Sequence, residues 1–183
     1  MQVRRLHGAA EVILLGVDPG SNCTALAVLD VSGSDPVRLF GLTIRRTPGM
    51  SRPEVLSAIR RRGRAVARKA LRAADERSVQ LVVGVEQVHM RTWNPMSGLR
   101  LAEARAVVVE AIQDAVGARL VPIFDVQPST AKLAATGSGR ASKGTVKLAM
   151  RGLAGCKVGQ DEADAMAVAL GAWGLMRKQM LTP

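Results

Sequence analysis

Four carboxylates stand out for their setting. Asp18 closes the apolar run in VILLGVDPGSNC (12–23), and Glu86 closes another in LVVGVEQ (81–87). Each run reads as a buried strand that delivers Gly-Val and then an acid at its C-terminal end. Asp18 could be no more than a turn former ahead of Pro19 and Gly20; the same design repeated at Glu86 points beyond a turn. Asp161 and Asp164, in VGQDEADAMAVALGAWG (158–174), are three apart at the start of a helix and so share a face. Acids in a first turn also complement the helix dipole, a role that suits Glu162. The context favours a site: from Val126 to Gln160 there is no acid, while Lys132, Arg140, Lys143, Lys147, Arg151 and Lys157 all fall there. An oxygen-only ligand set suits Mg²⁺ or Mn²⁺, which keep several waters and accept phosphate oxygens. Two such ions stabilise both the attacking and the leaving oxygen of an in-line phosphodiester displacement. Gathered without a cation, the four acids would raise one another's pKa values. The expectation is that Asp18, Glu86, Asp161 and Asp164 are both catalytic and metal-ligating, with two Mg²⁺ per site and Mn²⁺ able to substitute. No histidine base is then required, because a bound cation lowers the pKa of water.

The elements that must position these acids can be read from hydrophobic periodicity. Three β-type segments, 12–17, 24–30 and 37–45, are separated by DPGSN and SGSDP, which predicts an antiparallel meander. A helix follows over about 53–74, with Val55, Ile59, Val66, Ala70 and Ala74 on one face. Arg60, Arg61, Arg64, Arg68 and Arg72 fall mostly on the other, as a solvated face or one that touches DNA. Strand 79–86 leads through HMRTWNPMSG to a helix over 98–116 that is apolar on more than one side, suited to a core or a subunit contact. A short strand, RLVPIFDV (119–126), precedes helices over about 127–136, 143–153 and 160–177. Strands first and helices last predict a mixed-sheet α/β fold, with residues 1–10 a flexible basic leader and 11–178 a single domain.

The chain has 183 residues and a net charge of +11, which favours a polyanionic partner, nucleic acid above all. It is 48% hydrophobic but only 2% aromatic, so aliphatic side chains and alanine must fill its core. Cys23 and Cys156 are too far apart for a CxxC motif and suggest reduced thiols. The apolar stretch near the N-terminus is too short for a signal peptide, and AMAVALGAWGLM is too short to span a bilayer. A cytoplasmic protein with no membrane partner is expected, nucleoid-associated or in the host cytoplasm if viral.

These residues resemble the RuvC family of Holliday-junction resolvases, within the RNase H-like nucleases. The matching segments are LGVDPGSNCTALAVLD (15–30), VGVEQVHMRTWNPMSGLRLAEARA (83–106), PSTAKLAATGSGRASKGTVK (128–147) and DEADAMAVA (161–169). The resemblance implies an RNase H-like five-stranded mixed sheet flanked by helices, a homodimer, and Mg²⁺-dependent symmetric nicking of four-way branched DNA. It also implies ligatable ends, with branch-migration machinery as a further partner. The family's catalytic acids land on Asp18, Glu86, Asp161 and Asp164, and its two basic residues on Lys132 and Lys143, either side of Gly137 and Gly139. Arg140 and Lys147 extend that basic segment toward DNA. Where bacterial members usually carry an aromatic wedge after Glu-Gln-Val, this chain has His89; Trp93 could supply a stacking platform instead, with Arg91 between them. The helix over 98–116 matches the segment that supports dimerisation in the family.

Three other readings compete: a junction-binding architectural protein that does not cut, a related nuclease acting on other branched DNA or RNA–DNA hybrids, and an actin-like phosphate-handling enzyme. The four acids oppose the first, and the basic segment around Lys132 and Lys143 argues for junctions over the second. The chain is short for the two lobes of the third, and its charge fits a long polyanion better than ATP.

Overall fold

The computed structural model describes residues 11–33, 35–88 and 95–181; the leader expected over 1–10 lies outside them. Three strands, β1 (Val12–Asp18), β2 (Cys23–Asp30) and β3 (Val37–Arg45), are followed by α1 (Arg52–Arg77), β4 (Gln80–Glu86), α2 (Pro95–Val116) and β5 (Ile123–Val126). Three helices complete the chain: α3 (Pro128–Thr136), α4 (Lys143–Ala154) and α5 (Gln160–Met180). The five strands form one sheet in the order β3-β2-β1-β4-β5. β1, β2 and β3 make the expected antiparallel meander, whereas β4 and β5 add parallel to β1.

This topology explains the apolar runs. β1 is the central strand and is covered on both faces, so it cannot alternate apolar with polar residues. Val12 and Leu14 pack into the layer built by α3, α4 and α5, while Ile13, Leu15 and Val17 pack into the layer built by α1 and α2. The low aromatic content is met as expected, by valine, leucine, isoleucine, methionine and a large number of alanines in both layers.

Boundaries differ from expectation where terminal residues obey local rules. α1 extends to Arg52 and Arg77, starting behind Ser51, whose N–H and hydroxyl both donate to Glu54 Oε2 at 2.7 Å. α2 takes in Pro95, which a first helical position tolerates because no partner for its missing N–H is needed there. β5 shortens to four residues because Pro122 has no N–H to give the ladder, although its carbonyl still accepts from Val83 N at 2.9 Å. α2 docks on α1, and part of the arginine face of α1 is used in doing so: Arg60 holds Glu110 at 2.7 and 3.0 Å, and Arg64 pairs with Asp114. No described helix is long and apolar enough to cross a membrane.

Candidate active site at the strand ends

β1 and β4 run parallel in register, with Gly16 opposite Gly84 and Val17 opposite Val85, so Asp18 and Glu86 emerge side by side at the same edge of the sheet. Side chains two apart share a face. Gly16 and Asp18, like Gly84 and Glu86, therefore point toward α5. The glycines are what bring α5 close. A Cβ on Gly16 would lie 2.0 Å from the carbonyl oxygen of Ala165, and one on Gly84 would lie 2.7 Å from Ala172 Cβ and 2.8 Å from Val168 O. The helix lies in a furrow that only glycine leaves open, and its first turns carry Asp164 up to the strand ends. The repeated Gly-Val-acid pattern is thus a seat for a helix combined with a carboxylate placed against that helix.

Asp18, Glu86 and Asp164 line one cavity of about 410 Å³, with Lys132 and Lys143 in the same wall and Leu101, Ala131, Val146 and Val168 among its apolar lining. Asp18 and Glu86 stand side by side at the ends of neighbouring strands, close enough for Glu86 to act on Asp18. Burial first, and then Glu86 and Asp164, push the Asp18 pKa up to about 9, against a smaller opposing pull from Lys143. Asp164 is also raised, again by burial first; Lys143 and a hydrogen bond from Gln160 Nε2 at 3.0 Å act the other way. Lys143 Nζ stands 3.6 Å from Asp164 Oδ2 and is itself mostly exposed. Among the described residues no group of three or more His, Cys, Asp or Glu side chains is gathered tightly enough to hold a metal.

Asp161 does not line this cavity. It pairs with Arg45 at the end of β3, and the Cys23 thiol donates to its Oδ2 at 3.1 Å. Burial and this carboxylate push Cys23 up to about 12, so it is a proton donor rather than a thiolate. Positions three apart on a helix share a broad face but differ in azimuth and by most of a turn in height. That offset aims Asp161 at β2 and β3 and Asp164 at β1 and β4. Glu162, assigned to the helix dipole by the sequence, also has a specific partner: Arg38 on β3, at 2.5–2.6 Å.

The family model for crossover junction endodeoxyribonuclease RuvC matches residues 14–172. The chain belongs to the RuvC family. Among RuvC proteins it is 36% identical to that of Anaeromyxobacter dehalogenans, over 87% of this chain and 79% of that one. It is 35% identical to that of Sphingopyxis alaskensis, over 87% and 95%. Among solved structures it resembles Thermus thermophilus RuvC in complex with a Holliday junction substrate, at TM-score 0.69 and 26% identity, covering 90% of this chain and 96% of that one. Thermus thermophilus RuvC alone gives TM-score 0.70 at the same identity. The RNase H-like fold expected from the sequence is the fold of this RuvC family member.

The basic segment forms a helical hairpin beside the cavity. Gly137, in the left-handed region at φ 78°, ends α3; Ser142 begins α4 by accepting from Thr145 N at 3.1 Å. Lys132 and Lys143 face the cavity from the two helices, Arg140 is exposed on the connecting loop, and Lys147 is half-buried one turn into α4. His89, Arg91 and Trp93 lie outside the described residues. The sequence reading missed Gln160, Arg45 and Cys23, each of which fixes an acid of α5. Arg45 and Cys23 are remote in sequence from the acid they hold, and no local pattern marks them. For Gln160 a signal existed: it lies four residues before Asp164 and so on the same helical face.

Proposed function

We propose that this protein is a structure-selective DNA endonuclease that resolves four-way junctions by paired nicks, using Mg²⁺ held by Asp18, Glu86 and Asp164. The observation that carries the reading is the convergence of these three acids on a cavity that also has two lysines in its wall, in a RuvC-family chain of net charge +11. The relative solved with a Holliday junction substrate supports the choice of DNA. The donor chemistry, three carboxylates lining one cavity, suits a hard divalent cation, which would have to draw these side chains closer together to be held by all three. Bound there, the cation would neutralise the acids and act as a Lewis acid on a phosphodiester.

The chain's own groups do the positioning. Strand ends fix Asp18 and Glu86, and Gln160 orients Asp164. Lys132 and Lys143 contact the phosphate backbone from α3 and α4, with Arg140 and Lys147 extending that contact. Apolar walls lower the local dielectric and strengthen each charge interaction within. Asp161, held by Arg45 and Cys23, would join the ligand set only by rotating away from them. A homodimer through the outer face of α2, where Leu99, Ala102 and Ala106 are exposed, would present two sites to a twofold-symmetric junction.

Nicking of a labelled synthetic four-way junction with Mg²⁺ tests the reading. Wild type cuts and Asp18→Asn binds without cutting. Tight binding by both proteins with cleavage by neither, in Mg²⁺ or Mn²⁺, would establish a non-cleaving junction binder instead.

A further inference from the structure

The arginines of α1 divide into two groups. Between Val55 and Ala74 the helix carries no acid and seven cations: Arg60, Arg61, Arg62, Arg64, Arg68, Lys69 and Arg72. Arg60 and Arg64 are neutralised by Glu110 and Asp114 of α2, and Lys69 lies over the Phe40 ring at 4.1 Å. Arg61, Arg62, Arg68 and Arg72 are exposed and have no carboxylate partner among the described residues. Arg61, Arg68 and Arg72 recur at helical intervals in one row, opposite the buried Val55, Ile59, Val66, Ala70 and Ala74. Like charges one turn apart, as at Arg68 and Arg72, weaken a helix. Leaving this row uncompensated works against folding of the free protein, whereas the neighbouring row is paired.

The row is also well placed. Arg52, at the first turn of α1, donates to the carbonyl oxygen of Ser21 at 2.9 Å, in the turn just beyond Asp18. At its other end Arg77 pairs with Asp30 at the opposite edge of the sheet. α1 therefore starts beside the catalytic edge and runs away from it. From Arg61 to Arg72 is about 16 Å at about 1.5 Å per residue, enough to follow several phosphates of a duplex that carries a charge about every 1.7 Å of its axis. The exposed residues that share this face, Ser57 one turn before Arg61 and Ala65 between Arg61 and Arg68, are small and allow close approach. A lipid surface is disfavoured, because binding to one needs bulky apolar anchors beside the cations, and this face has none.

We infer that the solvent face of α1, through Arg61, Arg68 and Arg72, is a second DNA-contact surface that carries a duplex arm away from the catalytic cavity. It deepens the proposed junction activity and rests on it for the identity of the arm. The test compares wild type, the triple variant Arg61→Gln/Arg68→Gln/Arg72→Gln and the control Arg60→Gln/Arg64→Gln. Affinity is measured against salt, without divalent cation, for a long-armed four-way junction and for a linear duplex. The triple variant is expected to bind both DNAs more weakly, with log K against log salt shallower by roughly 2–3 units, about 0.9 for each phosphate that is no longer neutralised. The control, whose cations are already neutralised, is expected to keep the wild-type slope. An unchanged slope in the triple variant, or an equal loss in the control, would overturn the inference. The linear duplex separates the two claims: a wild type that cuts no junction defeats the proposed activity, while a slope difference on linear DNA still upholds this face.

Discussion

Two pairs of acids, one at the start of α5 and one at the strand ends, are treated in opposite ways. At the start of α5, Asp161 and Glu162 meet arginines from β3, Arg45 and Arg38, so their charge is compensated by the fold. At the strand ends, Asp18 and Glu86 face each other, and the nearest cation, Lys143, is mostly exposed and 3.6 Å from a third acid. Arginines on a neighbouring strand could have neutralised the second pair as they do the first. The fold instead leaves that charge to a proton, or to a cation arriving from outside. A carboxylate cluster that the protein itself leaves uncompensated is a candidate ligand site.

The sharpest way to break this comparison is to remove one member of the uncompensated set. Asp18→Asn, Glu86→Gln and Asp164→Asn are each expected to lower junction nicking by at least about 10²–10³-fold, the scale of losing one transition-state stabiliser. Binding of the uncut junction, measured by gel shift, should stay near the wild-type level. Next in size is the seat of α5: Gly16→Ala forces a methyl against the Ala165 carbonyl and is expected to cost about 1–3 kcal/mol by denaturant unfolding, together with activity, since Asp164 rides on that helix.

Proton linkage sharpens the comparison further. Asp18 loses its proton near pH 4 when unfolded but holds it to about 9 when folded. Throughout that interval the folded state binds more protons, so stability of the cation-free protein should fall as pH rises from 4 toward 9. Thermal unfolding at stepped pH measures this; Asp18→Asn should flatten the decline, and Mg²⁺ should oppose it most at high pH. Smaller still are Lys132→Ala and Lys143→Ala, each expected to make the salt dependence of junction binding shallower by about 0.9 unit. Asp161→Asn, within the compensated pair, should reduce nicking less than Asp18→Asn in the same assay.

Much of this architecture was legible in the sequence because it rests on periodicity. The order and type of the ten elements among the described residues follow from apolar runs, turn residues and helical spacing. Asp18 and Glu86 were legible because two strands end alike, and Asp164 because it opens a helix after a long basic stretch with no acid. What could not be read is how acids at i and i+3 part company: Asp161 turns to Arg45 because β3 happens to end beside it, a tertiary fact with no local signal. The arginine face of α1 was legible as a face but not as two rows, because only the docking of α2 neutralises Arg60 and Arg64. The reason for glycine at 16 and 84 was equally hidden, since a missing side chain is informative only when the helix that needs the space is in view.

The claim on which all of this turns is that Asp18, Glu86 and Asp164 share a cation. Crystals soaked in Mn²⁺ and measured at the manganese absorption edge test it directly. An anomalous peak bounded by these three carboxylates, with Lys143 displaced from Asp164, is the expected result. Strong manganese peaks elsewhere on the protein, with none between these side chains, would contradict it.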